Sequence, residues 1–250
     1  MRLVEFDLDL DYVANEENIA LIMKKSGCER NEATRQDYEI NWKGKRRDFS
    51  SQTRCMTAFF SRLLGGINTE DCKKLLVRCV PEVYGKNVIT TSDGFCDVQI
   101  QFDYDSFMLL DNFAKKKATL ELLMKGIRLV AEDKNWDMKP FESTYVKIVS
   151  ARYINEWTWQ KSAKSPNNKN VAHILLQHEV SEINIFIIVS DKSGNEILRK
   201  KVMSELPDEW YYARHLGEIK WVSNSEIVLV DKKKDTEWLV NMEDILSGQE

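Results

Sequence analysis

Apolar and acidic residues alternate without a fault from Leu3 to Tyr12. Val4, Phe6, Leu8, Leu10 and Tyr12 are apolar, and Glu5, Asp7, Asp9 and Asp11 stand between them. A period of two is the signature of a strand, with one greasy face and one face carrying a row of carboxylates about 7 Å apart. Phe95 to Tyr104 repeats the pattern. Cys96, Val98, Ile100, Phe102 and Tyr104 take one side; Asp97, Gln99, Gln101 and Asp103 take the other. Val88 to Thr91 with Ser92-Asp93-Gly94 makes this segment the second arm of a hairpin. Tyr38, Ile40 and Trp42 alternate with polar residues and predict a third strand over Gln36 to Trp42, followed by a basic turn at Lys43 to Arg47.

Helical spacing predicts three helices between these strands. Asn15 can cap one that runs to Lys25 and stops at Ser26-Gly27. Thr53 to Leu64 suits a second, stopped at Gly65-Gly66. The longest starts at Asp105 or Ser106 and runs to Lys134, with Leu110, Phe113, Leu120, Leu123, Met124, Ile127 and Val130 as its buried stripe. Gly126 inside that stripe costs up to about 1 kcal/mol against Ala, so it marks a close packing contact. Lys73 to Val80 fits either a helix end or a strand.

After an exit at Asn135 to Pro140 the pattern turns to short strands. These are Tyr153 to Gln160, Val171 to Glu179, Ile183 to Ser190, Glu196 to Met203, Glu218 to Val222, Glu226 to Val230 and Thr236 to Val240. Their short turns argue for antiparallel pairing. Lys161 to Asn170 reads as a polar loop. The expected architecture is α+β: a mixed α/β layer with one long helix over residues 1–138, then an antiparallel β-rich region over 139–250, as two domains or one continuous one.

The chain has 250 residues, 43% hydrophobic and 30% charged, with a net charge of −4. That balance can build a core and gives no basic excess for nucleic acid. No apolar run reaches the length of a bilayer span, and no leader pattern opens the chain. Cys28, Cys55, Cys72, Cys79 and Cys96 are odd in number and lack CxxC spacing, which reads as free thiols in a reducing cytoplasm.

Phe6-Asp7-Leu8-Asp9 resembles the Asp-x-Asp nucleophile motif of the haloacid-dehalogenase-like phosphatases. Leu10 and Asp11 stand where that family places Gly and Thr or Val, and Glu5 interrupts the apolar run. Asp7, Asp9 and Asp11 carry ligand oxygens for a hard cation, but a straight strand spreads them too far for one ion. His173 and His178, five apart, fall on opposite faces of a strand, and His215 stands alone. No metal site, cofactor or catalytic set is assigned.

Recognition carries the functional expectation. A fixed row at Glu5, Asp7, Asp9 and Asp11, spaced like backbone phosphates, would steer a cationic partner. Asp97 and Asp103 would extend it if both strands share a face. Trp210, Tyr211 and Tyr212, in a loop after Pro207, would anchor that partner. The expectation is a non-enzymatic cytoplasmic protein binding a basic protein, in its most concrete form a bacterial immunity protein that inhibits a basic toxin or nuclease. Two alternatives stand: a hydrolase with a dispersed site using Asp7, Asp9 or His215, and a sugar or small-ligand binder built on Trp157, Trp159 or Trp210.

Overall fold

The alternation at the N-terminus becomes an edge strand in the computed structural model, which describes residues 1–243. The chain divides into two units, Met1–Tyr153 and Ile154–Glu250.

In the first unit, β1 (Arg2–Leu3) pairs with β3 (Ile67–Asn68) as a two-residue ribbon. The main sheet has the order β2-β4-β6-β5, formed by β2 (Glu5–Leu10), β4 (Lys74–Val80), β6 (Phe95–Gln101) and β5 (Val88–Thr90). Strands β2, β4 and β6 are parallel; β5 closes the hairpin antiparallel to β6. The register sets Phe6, Leu8 and Leu10 beside Leu75, Val77 and Cys79, and these beside Cys96, Val98 and Ile100. All nine are buried and form the inner face. The ambiguous segment Lys73 to Val80 is therefore the central strand that joins the two alternating ones.

Helices α1 (Glu16–Ser26), α2 (Arg30–Asp37) and α3 (Lys43–Leu64) fill the crossover from β2 to β4. Asn15 caps α1 by accepting the Asn18 N–H at 3.0 Å, and Gly27 ends it in the left-handed region. The strand expected over Gln36 to Trp42 is instead the end of α2 and a π-helical turn, Tyr38–Trp42. Asp37 is the reason. It is fully buried and accepts hydrogen bonds from Tyr12 Oη (2.6 Å), Asn18 Nδ2 (2.7 Å), Asn41 Nδ2 (2.6 Å) and the Asn15 N–H (3.1 Å). Helical winding brings Asn41 back over Asp37, whereas an extended strand would carry it away. The expected basic turn Lys43 to Arg47 is the first turn of α3, whose buried stripe Phe49, Thr53, Met56, Phe60 begins before Thr53.

The longest helix is broken into two. Asp103, rather than Asp105 or Ser106, caps the single-turn α4 (Tyr104–Met108). Asp111 then caps α5 (Asn112–Lys134), accepting the Ala114 N–H at 2.7 Å. Gly126 of α5 lies so close to the sheet that a Cβ there would meet Val77 Cγ2 at 2.5 Å, which is the close contact expected of it. The segment at Asn135 to Pro140 leads into another helix, α6 (Lys139–Ser150). Phe141 of α6 and Phe60 of α3 meet Phe6 edge-on.

The second unit contains all seven expected strands, antiparallel throughout. Strands β7 (Glu156–Lys164), β8 (Asn170–His178), β9 (Ile183–Asp191) and β10 (Glu196–Glu205) form one meander. After α7 (Glu209–Tyr212), β11 (Glu218–Trp221), β12 (Glu226–Val230) and β13 (Glu237–Asn241) form a second. The expected polar loop from Lys161 is strand as far as Lys164. A bulge between Thr158 and Ser162 bends β7, and Lys161 Nζ donates to Gly217 O at 2.7 Å. Ile174, Leu176, Ile185, Ile187, Ile227 and Leu229 centre the core.

Candidate functional site

The row of carboxylates on β2 does reach the outer face of its sheet, but it does not stand free. The strand register that buries Phe6 and Leu8 places Glu5, Asp7 and Asp9 beside Lys74, Leu76 and Arg78 of β4, and these beside Phe95, Asp97 and Gln99 of β6. Positive charge from β4 therefore lies between the acidic row of β2 and the single carboxylate Asp97 of β6. Asp97 shares the face, as expected; Asp103 does not, because it caps α4.

Each carboxylate on β2 is answered from within the chain. Lys74 Nζ sits 2.6 Å from Asp7 and 3.4 Å from Glu5. Arg54 of α3 reaches the other oxygen of Asp7 at 2.7 Å. Arg46, two turns earlier on α3, binds Asp9 through Nε and Nη2, each at 2.6 Å. Arg78 grips Asp11 at 2.6 Å, and Tyr84 Oη donates to its second oxygen at 2.9 Å. The loop that carries Tyr84 is held down by Gln99, whose amide bonds both the N–H and the C=O of Tyr84. Burial works against the charge on Lys74 and Arg78, yet Asp7 and Asp11 hold both above their ordinary pKa values. Burial pushes the carboxyl of Asp97 up, despite Arg78 at 3.9 Å. The Asp11 side chain is only 11% exposed. The row thus fastens α3 and β4 to the edge strand, and the open acidic ladder suggested by the alternation is internally neutralised.

Asp7 and Asp9 are the two acids of the phosphatase-like motif, and both point across the sheet face into ion pairs. The carboxyl ends of β2, β4 and β6 open instead onto a groove. It is lined by residues that the sequence did not single out for function, Trp42, Lys45, Tyr104 and Lys125 among them, with Asp11 and Asp103 on its wall. The only signal available beforehand was parallel strand direction, which alternation does not encode.

The aromatic triplet of the second unit divides. Asp208 caps α7 by accepting the Trp210 N–H at 2.8 Å. Tyr212 turns into the core, against Trp157 and His178, and is not available to a partner. Trp210 is 90% exposed, and Tyr211 and Leu206 are about half exposed. His178 is buried, with Nε2 3.1 Å from Pro207 O, so the knuckle is tied to the end of β8. Pairing of Glu156 with Gln177, His178 with Ile183, and Ile183 with Glu205 brings four chain segments to this end of the sheet. Glu156, Glu179, Glu182, Glu205, Asp208 and Glu209 lie on them. Lys201, 3.8 Å from Glu182, Arg214, 2.9 Å from Glu205, and Arg199, whose charge Glu156 favours, are bases near them. Glu205 is held below the usual carboxylate range by the Leu206 N–H, with His215 and Arg214 assisting. His215 is bound there, 3.1 Å from Glu205 and edge-on to Trp238. Trp157, Trp159, Trp221 and Trp238 are partly buried against the core.

No helix among the described residues is long and apolar enough to cross a membrane. Comparison of the chain with protein-family models, curated proteins and solved structures finds no match. The functional reading therefore rests on the chain's own side chains.

Proposed function

We propose that this chain is a non-enzymatic binding protein that engages a positively charged protein through the Trp210 end of its second unit. The observation that carries this reading is a tryptophan left 90% exposed on a turn that is otherwise fixed, capped by Asp208 and rooted by Tyr212. A large apolar ring 90% exposed on a rigid mount buries little of its surface in the fold. Tryptophan is the side chain that most often dominates an interface. The carboxylates around it outnumber the bases, which favours a cationic partner and speeds encounter. In its finest form the reading is an immunity-type inhibitor whose acidic, aromatic end covers the basic cleft of a toxin or nuclease in the cytoplasm of a bacterium.

The test is capture of the native partner, followed by measured binding of that partner to variants. Trp210→Ala should weaken binding by at least about tenfold, the scale of a central interface aromatic. Glu209→Lys should slow association and flatten its salt dependence. Asp7→Asn should leave affinity unchanged. A partner that binds Trp210→Ala as tightly as the parent protein, or that carries net negative charge, would overturn the proposal.

A further inference from the structure

We infer that the groove at the carboxyl edge of the β2-β4-β6 sheet is a binding site for a small anion that carries a planar ring, of the size and chemistry of a nucleoside monophosphate. This inference concerns the first unit alone and does not depend on the Trp210 surface.

Position is the first argument. Three parallel strands end together here, at Leu10-Asp11, Cys79 and Gln101-Phe102. In open sheets with parallel strands, ligands settle in crevices outside the carboxyl ends of the strands. The groove holds about 610 Å³, within the range of small-molecule sites.

The walls are the second argument. Trp42 is delivered by the π-helical turn Tyr38–Trp42, a rare element that recurs at functional sites. It is fixed from two sides: its Nε1 donates to Leu10 O at 3.4 Å, and Tyr12 packs edge-on at 6.0 Å. Tyr12 is in turn held by Asp37. Trp42 therefore presents aromatic surface that is set before any ligand arrives, which lowers the entropic cost of binding, and Phe102 and Tyr104 line the groove with it.

Charge is the third. Asp11 is paired with Arg78 and bonded by Tyr84, whereas Asp103 keeps its negative charge and accepts from the N–H and hydroxyl of Ser106. Lys45 lies between two rings, 5.6 Å from the centre of Trp42 and 5.5 Å from that of Tyr104. Neither Lys45 nor Lys125, which enters from α5, has a carboxylate partner among the described residues. Two ammonium groups at an aromatic wall are complementary to a phosphate with an attached ring. Asp105, which also lines the groove and has no ion pair among the described residues, supplies an acceptor for a sugar hydroxyl.

The experiment is calorimetric titration of the full chain with AMP, with adenosine and inorganic phosphate as the two halves of the ligand. AMP should bind saturably, and each half should bind at least about tenfold more weakly. The exposed pair Lys45→Ala and Lys125→Ala, combined in one chain, should fold as the parent does, which a melting curve checks, and should lose at least about tenfold in AMP affinity. Trp42→Phe should keep part of that affinity. Absence of saturable AMP binding would overturn the inference. So would equal binding by inorganic phosphate alone, or undiminished AMP binding by the double lysine variant, which would place the ligand elsewhere, such as the lysines at 161, 232 and 234.

Discussion

The acidic row of the first unit and the aromatic knuckle of the second make opposite use of conspicuous side chains. Glu5, Asp7, Asp9 and Asp11 look free in sequence and are consumed in the structure by Lys74, Arg54, Arg46 and Arg78. Trp210, singled out in sequence by its place after Pro207, is left in water by the structure. The contrast teaches that a periodic charge pattern reports which face of a strand a residue occupies. It does not report what crosses that face. Charges recruit counter-charges from neighbouring elements, whereas an exposed indole has no comparable way to be satisfied by its own chain.

Stability measurements can break or sharpen this contrast. The largest loss is expected at the hub beside the row. Asp37→Ala leaves Tyr12, Asn18 and Asn41 without their shared acceptor and should destabilise the first unit by about 2–4 kcal/mol in urea unfolding. Gly126→Ala should cost about 1–3 kcal/mol, because the added methyl meets Val77 and Val98. Asp7→Asn should cost about 1 kcal/mol, since it weakens two partly exposed ion pairs rather than buried ones. Trp210→Ala should change stability by less than about 0.5 kcal/mol. If Trp210→Ala destabilised the fold more than Asp7→Asn did, the assignment of structural and binding roles would be reversed.

Acid sharpens the same comparison. Burial alone would raise the Asp37 carboxyl, but hydrogen bonds from Tyr12, Asn18, Asn15 and Asn41 bring it from 3.8 to about 2. A carboxylate with a depressed folded pKa adds stability above its unfolded value and loses it as pH falls toward the folded one. The first unit should therefore weaken as pH drops from about 4 to about 2. Asp37→Asn should flatten that slope in a pH series of melting temperatures, whereas Trp210→Ala should leave it as it is.

Much of the fold was legible because alternation survives wherever one sheet face is wet. The seven strands of the second unit, the N-terminal strand, the hairpin before Gln101 and the caps at Asn15 and Gly27 all carry local signals. Tyr38 to Trp42 failed for a physical reason. Its alternating residues serve a buried carboxylate and a π-helical turn, and that tertiary demand overrides strand propensity. The break between α4 and α5 was hidden because Asp103, Asp105 and Asp111 are all competent caps. The groove was illegible for another reason: parallel strand order assembles it from segments far apart in the chain. Of the three aromatics proposed to meet a partner, Trp210 and Tyr211 are exposed, as a place after Pro207 suggests, whereas Tyr212 is buried. A single helical turn sends neighbouring rings in different directions.

Strand order also bears on how the chain acquires its shape. Glu5 finds Lys74 only after all of α1, α2 and α3 have been spanned, so the edge strand must close a long loop before it gains a neighbour. The meander β7 to β10 joins each strand to the next in sequence and closes only short turns. Pulse-labelled hydrogen exchange during refolding should find the amides of Ile174 and Ile185 protected before those of Phe6 and Leu8. The unit that comes second along the sequence would then be the one that matures first.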